Sequence, residues 1–268
     1  MRSLWFGVLV CAAFFVACSD DDSSFATRPS DGSSSSVCGD CDDGSSSSAK
    51  SSSSSAKSSS SSRIGCKTET EDNCEYGELV DDRDGQTYKT VKIGDQVWMV
   101  ENLNFETDSS FCYKNTAEYC EKYGRLYRWA AAVGKSESEC GYGYTCSLPS
   151  GNIQGVCPNG WHLPSTAEWE TLFTAVGGSS TAGTKLKSTS GWNSSGNGTD
   201  AFGFSALPAG SRNSNGYFGN EGNNAYFWSS TEYGSNRAYS MDLDYSYDNA
   251  HLDDGNKSFA FSVRCVQD

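Results

Sequence analysis

The chain has 268 residues, with 34 acidic and 20 basic side chains and a formal net charge of −14. That balance argues against nucleic acid as a partner, because phosphate binding needs clustered Lys and Arg. Eighteen of the thirty residues 33–62 are serine; such a segment cannot bury a core, which leaves about residues 75–268 for one domain.

Residues 1–18 read MRSLWFGVLVCAAFFVAC. Arg2 supplies a positive start, and Leu4–Phe15 is an apolar run of twelve, short of the roughly 20 residues a membrane span needs. Small Ala17 precedes Cys18, and the chain turns polar at once. This segment resembles a bacterial lipoprotein signal with the lipobox Phe15-Val16-Ala17-Cys18. The resemblance implies that Cys18 becomes the lipidated first residue of the mature protein and ties it to a membrane. Phe15 stands where Leu is usual, and an ordinary cleaved signal peptide is the alternative. Ser19-Asp20-Asp21-Asp22 resembles export signals of surface lipoproteins in the Bacteroidetes and Fibrobacter group, which implies an outer-membrane or cell-surface location. A solvated acidic spacer is the other reading.

Residues 19–74 read as a linker. Its serine blocks, 33–36, 45–48, 51–55 and 58–62, are spaced by Ala-Lys pairs. A coil of this kind reaches roughly 35–40 Å end to end.

The chain carries twelve cysteines. Cys11 leaves with the signal and Cys18 takes lipid. The other ten, an even number in an exported chain, read as disulfides. Sequence does not fix the connectivity, but proximity suggests 38–41, Cys66–Cys74, Cys112–Cys120 and Cys140–Cys146, which leaves Cys157 with Cys265. Cys38-Gly39-Asp40-Cys41 lacks the strand and helix of a redox site. A zinc site from Cys38, Cys41, Cys66 and Cys74 is a further alternative with unusual spacing.

Within the domain, Thr87–Ile93 alternates, Gly94-Asp95 turns, and Gln96–Val100 alternates again, which predicts a β-hairpin. Asp81-Asp82-Arg83-Asp84-Gly85 reads as a tight turn, since it lacks calcium-loop spacing. Leu126, Trp129, Ala130 and Val133 fall on one helical stripe. Ser165 with Glu168 forms a capping box for a second helix, with Trp169, Leu172, Phe173 and Val176 facing the core and Gly177 at the end. Tyr239, Met241 and Leu243 alternate with Ser240, Asp242 and Asp244. Phe259, Phe261, Val263 and Cys265 alternate with Ala260, Ser262 and Arg264. Both stretches predict half-buried antiparallel strands. The order predicts an α+β domain with two helices and twisted antiparallel strands.

Several segments carry a family resemblance. Asp84-Gly85-Gln86-Thr87-Tyr88 leads to Gln96-Val97-Trp98-Met99-Val100-Glu101-Asn102-Leu103. Tyr123-Gly124-Arg125-Leu126-Tyr127 and Trp129-Ala130-Ala131 follow. Next come Cys157-Pro158-Asn159-Gly160-Trp161-His162-Leu163-Pro164-Ser165 and Glu168-Trp169, then Phe202–Gly210, Phe227-Trp228-Ser229-Ser230-Thr231 and Ser262-Val263-Arg264-Cys265-Val266. Together these resemble the Fibrobacter succinogenes major paralogous domain, a family of uncertain function. The resemblance implies a C-type-lectin-like fold, of the formylglycine-generating-enzyme branch, behind the serine-rich tether.

Chemistry is not announced. The copper thiol pair of that enzyme branch would need cysteines at 260 and 265, and Ala260 is no ligand. GxSxG and HExxH are missing. Of two histidines, His162 reads as structural and His251 lies in a loop beside Asp253 and Asp254. Asp242 and Asp244 share a strand face that could hold calcium or be plainly solvated. No cofactor and no catalytic residue is expected. Residues 211–256 hold six Tyr, eight Asn and five Gly, a mixture suited to adaptable contact surfaces. Tyr217, Trp228, Tyr233, Tyr245 and Tyr247 are the candidate ligand contacts, with Tyr245 and Tyr247 sharing one strand face as a platform. A polysaccharide or surface protein is the expected partner, and attachment to plant fibre the expected use. An envelope protein without a specific ligand, or an enzyme of unrecognised type, is the alternative.

Overall fold

A computed structural model describes residues 64–268. The expected signal, Cys18, the serine blocks and the expected Cys38–Cys41 pairing lie outside the described residues. The body is sheet-rich, with short helices and disulfides.

The expected hairpin forms from β2 (Thr87–Ile93) and β3 (Gln96–Met99), paired from Thr90↔Met99 to Ile93↔Gln96. Gly94, at φ +62°, makes the turn, a conformation glycine adopts without steric cost. Ahead of it, β1 (Tyr76–Val80) adds an antiparallel strand that the sequence reading missed. Between them Asp81 is buried and takes two bonds from the Arg83 guanidinium, at 2.6 and 2.8 Å. That turn is filled by its own arginine.

Chain order then runs β4 (Ser110–Phe111), α1 (Ala117–Tyr123), β5 (Leu126–Arg128), α2 (Trp129–Ala132), α3 (Glu137–Cys140), β6 (Trp161–His162), α4 (Thr166–Ala175) and α5 (Ser179–Leu186). The predicted helical stripe from Leu126 to Val133 is split. Leu126 and Tyr127 pair with Ser262 and Phe261 in a sheet, and the helix begins only at Trp129. Tyr127, which a helix would point away from that stripe, is fully buried. Tertiary pairing overrides the local period there.

α4 carries the expected capping box: Ser165 accepts from the Glu168 N–H while the Glu168 carboxylate accepts from the Ser165 N–H. Gly177, at φ +101°, follows its end. α5 was not expected, because Gly177-Gly178 reads as a stop and Ser179-Ser180-Thr181 is a poor helix signal.

The remaining strands are β7 (Ser211–Arg212), β8 (Phe218–Gly219), β9 (Asn224–Glu232), β10 (Arg237–Asp244), β11 (Ala250–Asn256), β12 (Ala260–Ser262) and β13 (Val266–Gln267). One sheet has the order β1-β2-β3-β13-β6; the larger runs β11-β10-β9-β12-β5-β4, with β7 and β8 attached beside β12. Three expectations change here. The predicted single strand 259–265 is strand only at β12; the chain then leaves the large sheet and enters the small one as β13, beyond residue 265. It crosses between them at Val263–Cys265, where Leu103 N–H donates to Val263 and Met99 N–H to Cys265. β12 is also parallel to β9. The predicted half-burial fails as well: Ser240 to Leu243 are all buried, because the large sheet is covered on both faces. Phe227, Met241 and Leu243 pack with α4 and α5, around Trp98, Trp169 and Phe204. Trp228 lies on the opposite side with Tyr127, Trp129 and Phe261.

Four disulfides close: Cys66–Cys74, Cys112–Cys120, Cys140–Cys146 and Cys157–Cys265. These pairs are the ones proximity suggests, and Cys66 and Cys74 are therefore no zinc thiolates. Residues 66–74, assigned to the linker from sequence, are held on the body. Lys67 N–H donates to Ala201 O at 3.0 Å, and its ammonium pairs with Asp200 at 2.7 Å. The domain thus begins before residue 75. Among the described residues no helix is long and apolar enough to cross a membrane.

Candidate functional site

The five ring candidates do not form one surface. Trp228 is fully buried. Its indole N–H donates to Tyr127 O at 2.7 Å, and its ring lies against Phe261 with centroids 4.2 Å apart. Gly255 makes room for both rings: a Cβ there would stand 2.6 Å from Phe261 and 2.9 Å from Trp228. Trp228 is core and is withdrawn as a contact. Tyr245 and Tyr247 do not share a strand face, since β10 ends at Asp244 and both lie in the turn that follows. Tyr245 packs half-buried on the core, while Tyr247 is 62% exposed. The Lys187 ammonium pins that turn by donating to Asp244 O and Tyr247 O, each at 2.9 Å.

Tyr233 sits at the other end of β10, in the β9–β10 turn. Eight residues of strand place the two turns roughly 25 Å apart. Tyr217 projects from a third turn, 72% exposed, where its N–H donates to the Asn213 side chain at 2.9 Å.

Tyr233 has neighbours that the sequence reading missed. The loop Cys140-Gly141-Tyr142-Gly143-Tyr144-Thr145-Cys146 is closed by its disulfide. Gly143 N–H donates to Ser235 O at 2.9 Å, joining this loop to the Tyr233 turn. Tyr142, Tyr144 and Tyr233 are 53%, 51% and 56% exposed. Fully buried Lys257 fastens the arrangement. Its ammonium donates to Tyr144 O at 2.8 Å and pairs with Glu232, which also accepts the Cys146 N–H at 2.8 Å. The loops that carry these three tyrosines are therefore joined through their backbones, and the Tyr233 ring meets Tyr239 edge-on at 5.3 Å. A signal was present in the sequence: Tyr142 and Tyr144 flank Gly143 inside a short loop closed by cysteines six positions apart.

His162 is structural. It is 3% exposed, with Nε2 2.6 Å from Glu168 and Nδ1 2.7 Å from the side chain of Asp268. Both ring nitrogens are engaged, so neither is free to act as a base. Burial opposes its protonation, but the bonds and charges of Glu168 and Asp268 outweigh that and raise its pKa above the ordinary imidazole range. For Glu168, burial is opposed by His162 and Ser165, and its pKa is lowered. A raised histidine contributes stability that is present below about pH 6.5 and lost as pH rises through its folded value. The lowered carboxylate contributes stability that is lost as pH falls below the ordinary carboxylate range. Unfolding free energy should therefore decline on raising the pH above about 6.5, and His162→Gln should flatten that decline. Denaturant melts across pH 5–9 check this, and equal slopes in parent and variant would refute it.

Asp242 and Asp244 differ from both sequence expectations. Asp244 is internally satisfied: Asn224 Nδ2 donates to one oxygen at 2.8 Å and Ser246 N–H to the other at 2.8 Å. Asp242 is no solvated face residue but is only 9% exposed. Burial, with Asp253 adding to it and a bond from Ser240 opposing it, pushes its carboxyl up to about 7. His251 lies not in a loop but in β11, opposite Asp242, and Asp253 lies opposite Ser240. The ligand atoms of Asp242, His251 and Asp253 all lie within 4.8 Å of one another.

Cys265 is bonded to Cys157, so no copper-binding thiol exists there. Residues 91–267 match the sequence model of the Fibrobacter succinogenes major domain. No curated protein and no solved structure matches the chain.

Proposed function

The chain belongs to the Fibrobacter succinogenes major domain family, and we propose that it is a lipid-anchored binding module displayed at the bacterial surface for a glycan or protein. The reading takes Cys18 as the lipid attachment point and the serine-rich segment as a tether from the outer membrane. It takes the two-sheet body with α4 and α5 as a disulfide-bonded variant of the C-type-lectin-like fold.

One observation carries the binding role: three exposed tyrosines, Tyr142, Tyr144 and Tyr233, on loops held together by Ser235, Glu232 and buried Lys257. Tyr offers large contact area at low conformational cost, and fixing the loops beforehand lowers the cost further. Aromatic faces can stack on the CH faces of sugar rings. With a net charge of −14, a neutral polysaccharide fits better than an anionic one; plant fibre is such a material. An envelope lipoprotein without a specific ligand is the second reading, and no geometry favours it.

A glycan array and a fibre pull-down test the proposal. Tyr142→Ala with Tyr233→Ala should lower fibre or glycan retention at least tenfold, while unfolding free energy changes by no more than about 0.5 kcal/mol, as for surface positions. Retention equal to the parent's would remove the patch from consideration. It would direct attention to the cavity of about 480 Å³ lined by Tyr88, Lys89, Asn102, Tyr123 and Ser205.

A further inference from the structure

β10 and β11 are antiparallel, with Asp242 directly opposite His251 and Ser240 opposite Asp253. Residues directly opposite have Cβ atoms about 4.5–5.5 Å apart, and alternate residues share a face. Asp242, His251 and Asp253 thus form a triangle on one sheet face. From this geometry we propose that Asp242, His251 and Asp253 bind a first-row divalent transition metal, zinc being the ion that best matches one imidazole and two carboxylates.

The strongest support is the state of Asp242. It is 9% exposed, and among the described residues its one hydrogen bond comes from Ser240 Oγ to Oδ1 at 2.7 Å. Oδ2 receives no protein hydrogen bond and keeps a little solvent contact, open toward the sheet edge. A cation would favour the ionised form of this largely buried carboxyl, and neither Lys nor Arg pairs with Asp242 or Asp253 among the described residues. The nearby cations are used elsewhere: Arg237 pairs with Asp254 on the opposite sheet face, and Lys187 donates to Asp244 O and Tyr247 O. The imidazole of His251 makes no hydrogen bond among the described residues, so a ring nitrogen is available.

The site has a rigid side and an adaptable side. Tyr226, paired with Asp242 in the neighbouring strand, stacks on Phe261 with centroids 4.9 Å apart, which backs the buried carboxylate with packed rings. His251 and Asp253 are exposed on the edge strand β11. Their side chains can turn inward from a mutual donor spacing of up to 4.8 Å toward the roughly 3.4 Å that separates donors around a tetrahedral zinc with bonds of about 2.1 Å. The edge also leaves room for water as the remaining ligand. Calcium requires six to eight oxygens and magnesium a near-octahedral oxygen shell, which two carboxylates and an imidazole do not supply; mixed nitrogen and oxygen donors favour zinc and its neighbours. The sequence reading missed the set because it put His251 in a loop and joined Asp242 with Asp244 instead.

The test is calorimetric titration of metal-stripped full-length protein with zinc chloride, alongside visible spectra of the cobalt(II) form. One zinc per chain is expected. His251→Ala and Asp253→Asn, both at exposed positions and checked for folding by circular dichroism, should each weaken zinc at least tenfold. His251→Ala should also shift the cobalt bands through loss of the nitrogen donor. The absence of zinc binding would overturn the proposal. So would affinity and spectra unchanged in both variants, which would place the metal elsewhere on the chain, or calcium binding more tightly than zinc at these residues.

Discussion

Trp169→Ala should lower the unfolding free energy by about 3–5 kcal/mol, the range for truncating a large buried aromatic side chain. Trp169 is fully buried in the middle of α4. Its ring stacks on Trp98 of β3 with centroids 4.7 Å apart, and meets Phe227 of β9 at 6.0 Å and Phe204 at 6.4 Å. One side chain thereby joins the helix to strands of both sheets. The indole N–H has no hydrogen-bond partner among the described residues, so its loss carries no bonding penalty. Trp169→Phe should accordingly cost clearly less than Trp169→Ala. Urea unfolding measures both; a loss below about 1 kcal/mol for the alanine variant would contradict the packing described.

Replacing Cys157 and Cys265 together by serine should cost about 4–5 kcal/mol in the chain-entropy treatment, which assigns about that much to a loop of 100 residues. The bridged residues are 108 apart in sequence. Cys265 lies between β12, in the large sheet, and β13, which is inserted between β3 and β6 in the small one. The bridge therefore ties the crossing segment to the chain just before β6. Removing Cys140–Cys146, separated by only six residues, should cost less by the same logic. Unfolding curves of the two double variants check the order, and a larger loss from the short loop would refute the argument.

Local signals were legible because they are completed within a few residues. The hairpin 87–99 needs only alternation and a Gly turn, and the start of α4 needs only Ser165 and Glu168. The burial of Trp169 follows from the stripe it shares with Leu172 and Phe173. Proximity suggested the three short disulfides Cys66–Cys74, Cys112–Cys120 and Cys140–Cys146, and Cys157–Cys265 followed as the pair left over. Where the signal was ambiguous, the reading failed in identifiable ways. Leu126 obeys a helical spacing, yet it is claimed by a strand because Tyr127 and Leu126 find partners in Phe261 and Ser262. Trp228 stands among turn residues in sequence, yet Gly255 and Phe261 enclose it.

The sequence by itself determined the family resemblance, the α+β class and the main helix start, since each rests on composition or on neighbours in the chain. Only the tertiary structure decided which polar and aromatic groups come together. Tyr142 and Tyr144 join Tyr233 across about ninety residues of chain because Gly143 N–H meets Ser235 O. Asp242 faces His251 rather than acting with Asp244 because the β10–β11 register sets them opposite. Register and loop docking are selected by the summed burial of both sheet faces. That sum depends on residues far apart in the chain, and no local pattern records it.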